Sequence, residues 1–480
     1  MGDQRRAGTS LVELIDSSRL TPRFWNATIV VMLVAMLEFF DFFLVGFVLA
    51  IVVKPWHLTF GESTVVLFSA GVGAIVGSFL WGWIADRSGR KPAILLGIVV
   101  FAGGTGLQAL TPEGWWWLLA LLRLLVGAGV GGLASVWTPL IIEFTPTRHR
   151  TVFGSLSAAC IPLGTLLGSL MAATLTGAIG WRGLFAVGAI PGLLAIWAYF
   201  ALPESPRWLI VKGKPEQARA EVSRMFGHSR AEVASAAAEV PSQGHDRVSY
   251  AALIRYPKSF WFTVIAWFGA TTAIYGVTLW GPTLLTLLLR ITPAHAAFLF
   301  IFVTLGGFGG RLLFSFLPNH IGRRGCGMLM GLGGGVFYVL TAVFHDAFLG
   351  GVSLFWLGLI AAYVFSDGGF ANLAPYTPEA FPAPLRGHAM GLAEVVNGAG
   401  KIVGPIGLGL IAGASNVVSP AATVGAITPG FLYIAAFGFV VFFTFVFINV
   451  ETRGRSLEAL EADLLAQQGS APAVSRVEVE

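Results

Sequence analysis

A few residues in this chain combine a reactive side chain with a spacing that could do chemistry inside a helix. Glu38-Phe-Phe-Asp41 sets two carboxylates three residues apart, on one face of a helix. Arg123 lies in an apolar run, about five turns before Glu143. A charge buried that deep is costly and is expected to face a partner or a wet cavity. An arginine beside a carboxylate favours the ionised form, whereas loss of solvent favours the protonated one, so a proton can compete with the arginine. Asp41, Glu38 and Arg123 are therefore candidates for a proton switch; the alternative is a static ion pair that locks the helices. Farther along, Glu394, Asn397 and Lys401 follow at spacings of three and four and share a face. Lys401 offers a cation to a carboxylate ligand, or pairs internally with Glu394 or Asp367. Tyr275-Gly276-Val-Thr278-Leu-Trp280-Gly-Pro282 supplies rings, as do Phe39, Phe40, Phe42 and Phe43 beside the two acids. A flat aromatic acid needs ring stacking plus one cation or donor.

Apolar helices must carry these charges. Of 480 residues, 55% are hydrophobic and 11% charged, against roughly a quarter charged in soluble domains. A soluble enzyme, a disordered chain and a disulfide scaffold are excluded. Uninterrupted runs such as Ile94–Ala102 exclude a β-barrel, whose strands alternate. The 61 glycines allow close helix approach in lipid. Two cysteines, Cys160 and Cys326, leave neither a disulfide framework nor a metal site to expect, and no cofactor is implied. With about 20 apolar residues needed per crossing, twelve stretches qualify: 24–53, 63–84, 92–110, 115–140, 153–178, 184–202, 259–287, 293–317, 326–344, 351–376, 388–413 and 428–449. The polar, basic opening MGDQRRAGTS has no apolar signal core, so span 1 is expected to be a retained helix.

Placing both termini in the cytoplasm leaves Lys54, Arg182 and Arg290 in outer loops and Arg123, Arg311 and Lys401 within spans; the rest of the 30 Lys and Arg fall inside. The net charge of +5 thus orients helices and does not bind nucleic acid. Gly73, Gly77 and Gly89-Arg90-Lys91 recur as Gly306, Gly310 and Gly322-Arg323-Arg324, displaced by 233 residues. Glu143-x-x-Pro146-x-x-x-Arg150 recurs as Glu379-x-x-Pro382-x-x-x-Arg386, displaced by 236. The expected architecture is an all-α integral membrane protein of twelve transmembrane helices in two pseudo-symmetric six-helix bundles, 1–202 and 259–450. A cytoplasmic connector, 203–258, with short helices such as Pro215–Phe226, joins them, and 451–480 is a cytoplasmic tail. A ligand site near mid-membrane, among spans 1, 4, 5, 7, 8, 10 and 11, suits such halves.

Gly82-Trp-Ile-Ala85-Asp86-Arg87-Ser-Gly89-Arg90-Lys91, between spans 2 and 3, closely resembles the cytoplasmic signature of the major facilitator superfamily, and the resemblance extends over essentially the whole chain. It implies a gate of charge contacts that break as the halves rock: Asp86, Arg90, Glu143, Arg150, Glu379 and Arg386. Asn319 stands where the second copy would have its Asp, which weakens the contact there. In the proton-coupled sugar and organic-acid porters that the chain resembles, a span 1 acid and a span 4 Arg do the coupling; Asp41 matches that acid best, with Glu38 in reserve. The span 7 sequence resembles the Tyr-Gly…Trp-x-Pro pattern of aromatic-acid and nicotinate-type porters, as Tyr376-Thr-Pro-Glu379-Ala-Phe-Pro382 resembles the niacin and organic-ion branch. Pro203-Glu-Ser-Pro-Arg207-Trp-Leu209 and Glu451-Thr-Arg453-Gly-Arg455-Ser resemble sugar-porter segments, both cytoplasmic.

The function implied is secondary active transport by alternating access. A proton symporter would import a small organic anion such as nicotinate or a benzoate, with Lys401, Tyr275, Trp280, Asn397, Glu394 and Phe42 at the substrate. A sugar porter and an uncoupled facilitator are the competing readings; a sugar would leave Lys401 unpaired unless Glu394 compensates. An enzyme is not expected, since the connector holds no Cys and no Walker-type loop. The partners expected are substrate, protons and the lipid of the inner membrane, with the protein a monomer.

Overall fold

The computed structural model describes residues 10–235 and 250–448, which are almost entirely helical. Among the described residues, ten helical stretches are long and apolar enough to cross a bilayer. Two more spans complete the twelve. The stretch Cys160–Ala201, 42 residues, would be about 63 Å long as one helix, twice the hydrocarbon thickness of about 30 Å. It breaks at Gly180 (φ 62°, ψ −173°) into spans 5 and 6. Span 11 is the helix Arg386–Ile411, less apolar because it carries Arg386, Glu394 and Lys401.

Two compact units emerge: Met1–Gly244 with Leu279–Ile301 and Ala414–Ser419, and His245–Thr278 with Phe302–Gly413 and Pro420–Glu480. The end of span 7 (Pro257–Leu288) with the start of span 8, and the short segment Ala414–Ser419, therefore group with the first unit. In that unit span 1 is Pro22–Val52, span 2 Phe60–Ser88 and span 3 Arg90–Gln108. Span 4 is made of two helices, Trp116–Val130 and Ala134–Phe144, separated at Gly131 and Gly132 (φ 83°). In the second unit, spans 8 and 9 are Pro293–Phe316, which begins in the first unit, and Pro318–Val343. Span 10 repeats the broken design as Leu354–Ser366 and Phe370–Glu379, and span 12 is Pro420–Phe447. The expected short helix Pro215–Phe226 is present, ended by Gly227 (φ 76°). This helix and the residues after it lie against the start of span 1 and the chain before it: Arg23 donates to the Arg224 carbonyl at 2.8 Å, and the Ser18 hydroxyl and His228 Nε2 are 2.7 Å apart. The Glu451–Arg455 motif and the tail lie outside the described residues, as does the connector over 236–249.

The duplication seen in the sequence is a duplication of packing. Gly73 and Gly77 of span 2 lie so near span 4 that a Cβ would strike the Leu124 and Ala128 carbonyls. Gly306 and Gly310 of span 8 meet Ile360 and Val364 of span 10 in the same way. Leu124 and Ala128 are 236 residues before Ile360 and Val364, so helix pairs 2/4 and 8/10 share one register. The turn into each third helix also repeats: Gly89 has φ 104°, ψ 165° and Gly322 has φ 75°, ψ 167°. Residues with a Cβ rarely adopt that conformation. In lipid these backbone approaches take the place of hydrophobic collapse, because tails are as apolar as side chains.

A bulky group at such a contact must push two backbones apart. Gly310→Leu is expected to destabilise the protein by about 1–3 kcal/mol, the usual cost of overpacking. Gly309→Ala, where an added Cβ meets nothing within 4 Å, is expected to be neutral. Thermal unfolding of both variants in detergent measures the difference.

Candidate proton and anion sites

Asp41 sits mid-way along span 1, wholly buried, and Arg123 of span 4 is wholly buried beside it. The contact differs from a simple ion pair. Arg123 Nη1 donates to the Asp41 carbonyl at 3.1 Å and Nη2 to the Phe42 carbonyl at 2.6 Å, with its guanidinium carbon 5.8 Å from the Phe42 ring centroid. Helix carbonyls keep a second lone pair after accepting their own N–H, and the guanidinium uses two of them. The Asp41 carboxylate instead accepts through Oδ1 from the Thr105 hydroxyl of span 3. Its Oδ2, like Arg123 Nε, has no hydrogen-bond partner among the described residues. Glu38, one turn earlier, accepts from Trp137 Nε1 of span 4 at 3.3 Å. Thr105 and Trp137 are thus partners that sequence reasoning missed, since nothing marks a threonine or tryptophan in an apolar run as facing an acid.

At the Arg90 end of span 3, an ion pair of 2.8 Å joins Arg90 to Glu143, whose other oxygen accepts from the Ser205 hydroxyl. The Glu204 carboxylate accepts from the backbone N–H of Arg90 (2.8 Å) and Lys91 (3.2 Å), so an anion caps the span 3 helix where its N–H groups are unpaired. A Cβ on residue 89 would land on that carboxylate, a second reason for glycine there. Burial pushes the Glu204 carboxyl up from its ordinary value, against the pull of the Ser205, Arg90 and Lys91 N–H groups. Asp86 is exposed; its carbonyl accepts from Trp208 Nε1 at 3.0 Å, and its carboxylate joins no ion pair among the described residues. The Arg150 side chain lies outside the described residues. In the second unit Arg323 grips Glu379 through Nη2 (2.6 Å) and Nε (3.2 Å), the repeat of the Arg90–Glu143 pair. Arg386 donates to the Phe381 carbonyl at 3.3 Å. Arg323, Glu204 and Ser205 extend the cluster beyond the residues expected from the sequence. The 233- and 236-residue displacements were the signal that could have added Arg323.

Within the second unit, Lys401 Nζ stands 5.2 Å from the Tyr275 ring centroid, both residues buried. Asn397 Nδ2 donates to Glu394 Oε2 at 3.1 Å. Asp367 pairs with Arg311 in a two-point fork, each bond 2.9 Å, at the break in span 10. The Tyr363 and Thr278 hydroxyls are bonded, and Tyr338 and Ser366 lie 2.9 Å apart. The half-buried Arg311–Asp367 pair was not foreseen, because its partners are 56 residues apart in sequence. Trp280 belongs to the segment grouped with the first unit, where its ring lies 5.6 Å from Phe60, and Phe42 meets Phe43 edge-on at 5.3 Å.

Buried charges on glycine-packed, duplicated helices describe a solute carrier, and known proteins bear that out. Residues 27–464 match the family model described as "Sugar (and other) transporter". The chain belongs to that family. It is a transporter of the major facilitator superfamily and not an enzyme. Among curated relatives of this transporter, the niacin transporter NiaP of Acinetobacter baylyi is 27% identical over 373 residues, 77% of this chain and 83% of that protein. The 4-hydroxybenzoate transporter PcaK of the same species is 27% identical over 418 residues, 83% of this chain and 87% of that protein. The inward-open xylose transporter XylE of E. coli has the same fold, with a TM-score of 0.69 at 20% identity, covering 92% of this chain and 99% of that one.

For this transporter the geometry makes Glu204 a cap and Asp86 a bystander to the ion pairs. Glu204→Ala is expected to lower stability by about 0.5–2 kcal/mol, the range for losing a helix cap. Asp86→Asn is expected to leave the thermal midpoint unchanged. Melting curves of the two purified variants side by side check both.

Proposed function

We propose that this transporter is a proton symporter that imports a small organic anion, an aromatic monocarboxylate of the pyridine- or benzene-carboxylate type. The observation that carries the coupling is Asp41: a fully buried carboxylate with one oxygen unpartnered, beside an Arg123 whose donors go to backbone carbonyls. Such a group can gain and lose a proton without dismantling the Arg123 contact. Protonation removes a charge from low dielectric and so alters which conformation is favoured. The substrate reading rests on the buried Lys401 beside the Tyr275 ring, a cation and an aromatic face together. Relatives named for niacin and 4-hydroxybenzoate carry compounds of that class.

Alternating access follows from the duplicated halves, 1–202 and 259–450. Arg90, Glu143, Glu379, Arg386 and Arg150 belong to the gate on the cytoplasmic side, the Arg323–Glu379 pair adds to it, and Asp86 takes part through the Trp208 bond to its carbonyl and not through an ion pair. The excess of Lys and Arg supports an orientation with both termini and the connector in the cytoplasm; the membrane of this reading is the inner membrane, and the protein a monomer. Asn397, Glu394, Trp280 and Phe42 complete the substrate assignment, and Glu38 stands in reserve to Asp41. A relative named a probable polyol transporter, from Arabidopsis thaliana and 28% identical over 432 residues, favours polyols as the second reading.

Two measurements decide between these. In a thermal-shift screen of purified protein, aromatic carboxylates are expected to raise the midpoint and Lys401→Gln to abolish the rise; ligand at 100 times its Kd stabilises by about 2.7 kcal/mol. Stabilisation by hexoses or polyols and by no aromatic acid would transfer the protein to the other class. In proteoliposomes, Asp41→Asn is expected to lose accumulation driven by a pH gradient while substrate counterflow persists. Full accumulation in that variant moves coupling to Glu38 or removes it.

A further inference from the structure

We propose that Thr105, Gln108 and Thr111 hold a hydrated line that delivers protons to Asp41 from the end of span 3 opposite Arg90. The inference rests on the proton-coupled reading above. All three residues are wholly buried. Thr105 donates to Asp41 Oδ1, and Gln108 follows one turn later. Beyond the helix, the chain continues in tighter turns: Ala109 N–H to Gly106, Leu110 to Leu107 and Thr111 to Gln108, the last at 3.1 Å. Thr105 and Gln108 are neighbours on one face of the α-helix, and the tighter turn brings Thr111 towards eclipse with Gln108, so the three positions form one row of about 10 Å.

Along that row the polar atoms lack partners. Asp41 Oδ2, Gln108 Oε1 and Thr111 Oγ1 are each buried with no hydrogen bond, and Gln108 Nε2 reaches the Gly104 carbonyl only at 3.4 Å. Buried polar atoms are nearly always satisfied, and bound water is the usual partner when protein is not. Two orphans in one row, leading to a third on the buried acid itself, give water a set of partners there. The row ends at the surface, where Arg182 donates to the Thr111 carbonyl at 3.2 Å and pairs with Glu113 at 3.2 Å. The Glu113 side chain is 73% exposed, so it exchanges protons with bulk water. In the proposed orientation this is the outer face.

The other charged groups around Asp41 are few. Span 4 contributes Arg123, held on backbone carbonyls, and span 1 contributes Glu38, held by Trp137. Span 5 meets span 1 through Gly164 and Gly168, and Gly188 of span 6 packs at Thr105 and Leu44, positions with nothing to titrate. The transfer balances: a hydronium at the Glu113 end gives up one proton, each water or hydroxyl in the line passes one on, and the Asp41 carboxylate gains one. Neutral water is left behind.

Full-length protein in proteoliposomes tests this, with nicotinate or 4-hydroxybenzoate as the probe. Gln108→Leu and Thr111→Val keep approximate size and remove the orphan atoms. They are expected to slow uptake driven by a pH gradient about tenfold while counterflow exchange stays within about twofold, a difference of one decade in a single barrier. Gln108→Ser, which leaves room and a partner for water, is expected to retain the gradient-driven rate. Wild-type uptake in Gln108→Leu, in a preparation where Asp41→Asn has lost accumulation, overturns the line and leaves the coupling reading intact. Loss of counterflow along with uptake in Gln108→Leu also overturns it, since the row would then be structural. Accumulation preserved in Asp41→Asn defeats the coupling reading itself.

Discussion

In a bilayer, a charge or a backbone polar group cannot be left to solvent, and that constraint organises this molecule. Spanning segments must be helices, which satisfy their own backbone. Helices then need another reason to associate, and here it is backbone approach through glycine at Gly73, Gly77, Gly306 and Gly310. The few charges that enter the apolar region are tied down by named partners: Arg123 by two carbonyls of span 1, Arg311 by the Asp367 fork. Satisfaction is incomplete at several buried atoms, among them Ser63, Thr272 and Asn372, and at Asp41, Gln108 and Thr111, which lie along the end of span 3 and the acid it meets.

The duplication supplied a scaffold whose halves then took different charges. Leu124 and Ile360 occupy equivalent places against Gly73 and Gly306. Their preceding neighbours, Arg123 and Leu359, are therefore equivalent as well, and both are fully buried. One half keeps a guanidinium there and the other a core leucine. Conversely, Asp367 falls where the first half has Gly131, at the break in the corresponding span. The Arg–Glu pairs at the ends of spans 3 and 9, Arg90–Glu143 and Arg323–Glu379, were retained in both copies. Each half thus keeps its own buried or half-buried charges, Asp41 and Arg123 in the first and Arg311, Asp367 and Lys401 in the second, on a scaffold whose Arg–Glu pairs are common to both.

Much of this was legible before any coordinate. Composition and run length established a twelve-span helical membrane protein, because the bilayer's thickness and its lack of hydrogen-bonding solvent permit few alternatives. The repeat was equally plain, since polar matches at nearly constant displacement do not arise from apolar helices alone. Asp41, Glu38, Arg123 and Lys401 announced themselves as ionisable groups where such groups are expensive. These are one-dimensional signals: they depend on residue type and on distance along the chain.

Only the tertiary structure decided which of those groups meet, and through which atoms. Arg123 was bound to reach span 1, yet that its donors go to carbonyls while Thr105 serves the carboxylate depends on the rotation of three helices. Asp86 stands in the middle of its motif, but it is exposed and its carboxylate joins no ion pair among the described residues, and Glu204, 114 residues after Arg90, takes up the helix end. Asp367 went to Arg311, not to Lys401. Spacing within a helix is set by the 3.6-residue turn and can be read from the sequence. Contact between helices depends on their axial rotation and offset, which only the packed backbones determine.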